Sequence, residues 1–254
     1  MEARKNLKQI TAVAGIFVLS VIFLNYGSRW LYQLAFRMYP LYKGIDPEDA
    51  FMYLFLHHIF QGIFFLLLIA LACRLMRRKW RDFGFNLNAY RFSLLYSLCF
   101  LLFWTALQFT LGYLMVRNGS VFDMSYTLNA RNFTGYFLFE ILLSGSSEEL
   151  FFRAFIISIT SALLKDIYQK QRWADITAIM ISTLLFMVGH IQFELFPFRI
   201  TYFDLMQQLT VVACSLAYGV VFLKTKSLLA PILIHNLLNG VATISTIVLY
   251  QMSH

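Results

Sequence analysis

Six residues of this 254-residue chain have side chains suited to chemistry and stand inside apolar runs: Glu148, Glu149, Arg153, His190, His235 and Asn239. An ionisable group near a bilayer centre costs roughly 2.5–3.5 kcal/mol on insertion scales, so such groups are retained where they act. Two carboxylates, a guanidinium, two imidazoles and an amide are the ingredients of acid–base hydrolysis. In a helix Glu149 and Arg153 are four apart and share a face, so they can pair and lower each other's cost. Glu148 points about 100° away from Glu149 at 3.6 residues per turn, which leaves it free to face a water-containing cavity. A desolvated carboxylate there would have its proton affinity raised, which suits a general base. The alternative for Glu149 and Arg153 is a purely structural lock between helices.

His235 and Asn239 are also four apart and stack on one face. Both can donate hydrogen bonds to a common point, and a donor pair aimed at a developing oxyanion is worth a few kcal/mol in a water-poor site. The competing reading is ordinary interhelical hydrogen bonding, about 0.6 kcal/mol per bond in membranes. Pro231, one turn upstream, is placed to kink this helix and open space around the pair. His190, read by itself, is a core histidine beside Gly189, a residue that lets helices approach closely. His57-His58 diverge as neighbours in a helix and read as packing or lumen-facing residues.

Taken together, Glu-Glu-x-x-x-Arg at 148–153, Phe-x-x-x-His at 186–190 and His-x-x-x-Asn at 235–239 fall in fixed order on three separate hydrophobic segments. This triple resembles the CAAX prenyl protease and bacteriocin-processing family, the type II CAAX proteases. The resemblance covers roughly residues 134–245, and the loop Asp82-Phe83-Gly84-Phe85-Asn86-Leu87 looks like the family's lead-in. It implies an intramembrane endopeptidase of glutamate type on an all-helical bundle, its active site in a cavity between helices. Glu148 and His190 would activate the attacking water, His235 and Asn239 would stabilise the oxyanion, and Glu149 with Arg153 would support the site. No cofactor is implied.

The elements that must position these residues are membrane spans. Hydrophobic residues make up 59% of the chain and charged ones 13%, about half the charge of a soluble domain. Apolar segments run at about 10–35, 51–76, 92–116, 134–164, 176–191, 204–223 and 228–250, each near the length that crosses a bilayer as a helix. The first is interrupted at Asn25-Tyr26-Gly27-Ser28-Arg29, which divides it into a span and an interfacial helix, and Ser144-Gly145-Ser146-Ser147 marks a bend in the fourth. The fold expected is an all-α polytopic bundle of seven or eight transmembrane helices. It forms one domain over residues 1–254, with N-terminal spans at 10–116 ahead of the core. The basic start, Arg4, Lys5 and Lys8, precedes a span that is retained rather than cleaved as a secretory signal. Fourteen Lys and Arg lie in one set of loops and six in the other, which places the N-terminus in the cytoplasm and the C-terminus outside. The basic cluster at 74–81 is topogenic on this reading, with anionic lipid as its contact. The +8 net charge is thus a topology signal and calls for no nucleic acid. Cys73, Cys99 and Cys214 form no CxxC and no disulfide framework.

Three other classes stay open. Glu148, His190 and His235 with a water would make a plausible zinc set, although no His-Glu-x-x-His occurs. Glu194, near Pro197, reads as a solvated loop charge. A transporter would also use intramembrane charges, but would show paired halves or helices broken at corresponding positions. A non-catalytic scaffold or immunity protein is the third. The partners expected are the lipid bilayer and a peptide or membrane-protein substrate, in a bacterial cell membrane. The sequence carries no signal for an oligomeric state. Counted along the helices, Glu148 lies about 25 Å and His235 about 12 Å from the basic side. These depths disagree, so a boundary is misplaced or a helix is tilted or broken.

Overall fold

The computed structural model describes residues 2–195 and 197–254. In chain order it contains α1 (Glu2–Ile22), α2 (Ser28–Arg37), α3 (Tyr39–Tyr42), α4 (Met52–Met76), α5 (Tyr90–Arg117), α6 (Ala130–Phe139), α7 (Gly145–Glu149), α8 (Ser158–Tyr168), α9 (Gln171–Gly189), a hairpin of β1 (Gln192–Leu195) and β2 (Phe198–Tyr202), α10 (Leu205–Thr225) and α11 (Leu229–Ser253). Among the described residues six helices are long and apolar enough to cross a membrane. The remaining apolar segment, the fourth, is the helical path through α6, α7 and α8.

At Ser144–Ser147, where a bend was expected, that path stays helical. It is continuous but widened, with π-helical turns at Glu140–Ser144 and Leu150–Ile157 on either side of α7. Such turns re-aim side chains without breaking the backbone ladder, and they recur at functional sites. The interruption at Asn25–Arg29 is likewise a π-helical turn, Phe23–Gly27, which passes directly into α2. Pro231 does not kink α11. It is the third residue of that helix, where a missing N–H has no intrahelical partner to lose. Helix α9 begins five residues before its apolar segment, because Lys170, Gln171, Arg172 and Asp175 form a polar first turn. The hairpin, with Gln192 to Leu195 antiparallel to Tyr202 to Phe198, was not foreseen. Its short strands carry no clear period-2 alternation for a sequence reading to find. Glu194 therefore lies on a strand, exposed as expected, opposite Arg199.

The chain gathers into two compact units, each assembled from three separated stretches. One comprises the stretch ending at Trp30, Phe64–Ala89 and Glu149–Leu228. Its core is Phe65, Phe151, Phe152, Ile156, Leu185, Phe186 and Val211. Lipid tails are as apolar as these side chains, so shape and polar contacts decide the packing. Phe65 stacks on Phe151 at 4.5 Å between centroids, and Phe152 meets Phe186 edge-on at 4.8 Å, both favoured aromatic geometries. The hairpin is tied down by Asn25, whose side-chain amide donates to the Phe193 carbonyl at 3.0 Å.

The other unit comprises Leu31–Ile63, Tyr90–Glu148 and Leu229–His254. Within it α11 lies along α5, where Gln108 donates to Ser245 Oγ at 2.7 Å. The fully buried Asp46 carboxylate accepts the N–H groups of Ala50, Phe51 and Met52 at 2.8–2.9 Å. It thereby satisfies the N–H groups of the two residues that lead into α4 and the first orphan donor of that helix.

Candidate active site

In the second unit the face of α11 that carries His235 and Asn239 lies against the widened 140–149 stretch. The approach is close because of two glycines. A Cβ at Gly145 would stand 2.5 Å from His235 Cγ, and one at Gly240 would stand 2.6 Å from Ile141 Cγ2. Asn239 Nδ2 donates to Ser144 Oγ at 2.9 Å, and Asn236 Nδ2 donates to Ser146 Oγ at 2.8 Å. One turn along, His235 Nε2 lies 3.8 Å from Glu148 Oε2, with 8% and 22% of the two side chains exposed. The depth disagreement is thereby resolved. Glu148 and His235 share one level, and distance counted along the widened path to residue 164 was the wrong ruler.

Sequence reasoning left four residues out of the candidate site here. His58 Nδ1 lies 2.7 Å from Ser147 Oγ, with its ring 4.9 Å from Phe139. It turns away from His57 as expected, their rings nearly perpendicular at 87°, and of the two readings, packing or lumen-facing, its contact with Ser147 fits the second. Ser147 and Ser144 lie on that stripe, and Glu140 reaches the hydroxyls of Ser144 and Tyr136. The signal was present, because Glu140, Ser144 and Glu148 are spaced by fours and an apolar helix has no other reason to keep them aligned.

The first unit holds the rest. Glu149 and Arg153 are both fully buried and paired, Arg153 Nε lying 3.0 Å from Glu149 Oε2. Arg153 Nη2 also donates to Ser215 Oγ on α10 at 3.1 Å, and Thr183 Oγ1 of α9 lies 3.1 Å from the same hydroxyl. The guanidinium carbon stands 5.0 Å from the Phe186 ring and 5.2 Å from that of Tyr218, within cation–π range. One arginine thus ties its own segment to α9 and α10, the lock foreseen as one of its two readings.

His190 caps the C-terminus of α9. Its Nδ1 lies 2.8 Å from the Phe186 carbonyl oxygen, and its own carbonyl accepts from Gln208 at 3.2 Å. A carbonyl oxygen can only accept, so Nδ1 carries the proton and Nε2 keeps a free lone pair in the neutral ring. Among the described residues no group of three or more His, Cys, Asp and Glu side chains has the arrangement to hold a metal ion.

Residues 130–241 match the family described as type II CAAX prenyl endopeptidase Rce1-like, and all six residues singled out from the sequence fall inside that stretch. Over that stretch the chain is similar to the Rce1-like family. It is accordingly a membrane-embedded hydrolase, a CAAX-type intramembrane protease. No curated protein and no solved structure gives a match. The matched stretch begins with α6 and ends on α11 just beyond Gly240, so the close approach through Gly145 and Gly240 lies within the Rce1-like core.

Proposed function

We propose that this Rce1-like protein is a glutamate-type endopeptidase. In this reading Glu148 is the general base that takes a proton from the attacking water, with His190 Nε2 as its partner in water activation. His235 and Asn239 donate to the oxyanion of the tetrahedral intermediate. Glu149 and Arg153 hold the segment that carries the base. The observation that supports this best is the approach of Glu148 and His235 to 3.8 Å in a largely buried polar patch. A carboxylate and an imidazole that close together can serve one bound substrate, the carboxylate taking the water's proton while the imidazole donates to the oxyanion. The amide of Asn239 has a second N–H beyond the one given to Ser144, and that hydrogen is available to a substrate oxygen.

The reaction needs no metal on this reading. The substrate is a peptide or membrane-associated protein, and the setting is a bacterial cell membrane with the N-terminus in the cytoplasm. The test is a cleavage screen of candidate peptides in detergent, with wild type beside Glu148→Gln. Cleavage by wild type that disappears in the variant supports the proposal. Normal cleavage by a purified, folded Glu148→Gln protein would remove Glu148 as the base.

A further inference from the structure

At its basic end the first unit contains a polar cavity of about 880 Å³, lined among others by Arg78, Arg81, Lys165 and Lys226 together with Asp82 and Asp175. Its wall is built, not a loose cluster of loop charges. Asn86 donates from its side chain to the carbonyls of Arg81 and Lys226 at 3.0 and 2.7 Å, and Ser227 Oγ donates back to the Asn86 carbonyl at 2.6 Å. Gly84 holds φ +93°, and a Cβ there would stand 2.6 Å from Phe222, so the lead-in loop is fixed against the end of α10 by a residue that only glycine fits.

Charge inside the cavity is unbalanced. Asp82 accepts the Lys79 N–H at 3.0 Å, and Asp175 accepts from Ser161 Oγ and from Gln171 at 2.8 Å. Both acids are thus engaged locally, and their nearest cations stand at 3.9 and 4.0 Å. Arg78 and Lys165 form no ion pair among the described residues. Arg81 and Lys226 thus answer the two carboxylates, and Arg78 and Lys165 are left as two cations in excess, with amide and hydroxyl donors between them.

We propose that this cavity binds the phosphate of an anionic phospholipid headgroup. The spans α4 and α10 end at Met76 and Thr225, beside Arg78 and Lys226, so the cavity stands at headgroup depth. Basic pockets between spans at that level suit anionic lipid phosphates, and the volume is that of a small-molecule site. Topogenic charge alone does not account for it, because Lys170 and Arg172 serve the same end of the chain without lining the cavity. The proposal rests on the membrane setting and is independent of how Glu148 acts.

The test uses the full chain in detergent, with bound lipid read by native mass spectrometry and stability by thermal unfolding. Wild type is expected to retain phosphatidylglycerol over phosphatidylcholine and to unfold at higher temperature with it. R78Q/K165Q is expected to lose roughly tenfold or more of that retention, the scale set by two cations near an anionic bilayer. The control K170Q/R172Q, which removes equal charge outside the cavity, is expected to keep it, and single K165Q serves if the double variant folds poorly. Equal protection by inorganic phosphate alone would support the phosphate chemistry and assign it a soluble source. Equal retention of the two lipids, or undiminished retention by R78Q/K165Q, overturns the proposal.

Discussion

Glu149 has no exposed side-chain surface, whereas Glu148, one residue earlier, keeps 22% of its own. Substitution should separate them. Glu148→Gln is expected to lower kcat by about 10²–10⁴, the range for losing a general acid or base, while thermal unfolding stays at the wild-type temperature. Arg153→Ala is expected to cost about 3–5 kcal/mol of stability, because it strands a buried carboxylate. Chemical denaturation in detergent reads that loss, and a stable but inactive Arg153→Ala protein would assign Arg153 a direct role. Spacing alone disclosed the Glu149–Arg153 pair, since residues 149 and 153 share a face and 148 does not. It did not disclose His58 or Ser147, because a histidine in an aromatic-rich span has the same local pattern whether it packs or faces a polar stripe.

At the scale of elements, the approach of α11 to the 140–149 stretch depends on the two glycines that face it. Gly145→Ala puts a methyl group against the ring of His235. It is expected to cost about 1–3 kcal/mol, as overpacking does, and to lower cleavage further than that loss of folded protein explains. Activity per folded molecule, from unfolding curves measured beside initial rates, separates the two effects. Helix limits were legible because hydropathy marks them, and most fall within a few residues of the apolar segments. The π-helical turns were not, because a widened turn has the same composition as an ordinary one. What betrays it is the contact of Glu148 with His235, which straight counting along the chain places at different depths.

For the whole molecule, metal-independent chemistry predicts that chelators leave cleavage intact. Loss of activity on chelation, with recovery on adding zinc, would move the mechanism to a metal route. Orientation has its own check. A tag at the N-terminus is expected to survive protease added to intact cells, and a tag at the C-terminus to be removed, on the proposed topology of seven spans oriented by the bias of Lys and Arg between loops. The all-helical membrane architecture was readable from apolar segment lengths alone. The hairpin after His190 was not, since its nine strand residues are too few and too irregular to stand out from a loop.

The hydrogen bond from His190 to the Phe186 carbonyl also fixes how the imidazole meets an outside reagent. With Nδ1 committed to the backbone, an acylating probe such as diethyl pyrocarbonate finds one nucleophilic nitrogen, so modification at this position should stop at a single adduct. The label would sit on the atom assigned to water activation, and its removal by hydroxylamine should restore cleavage in step with the returning free ring.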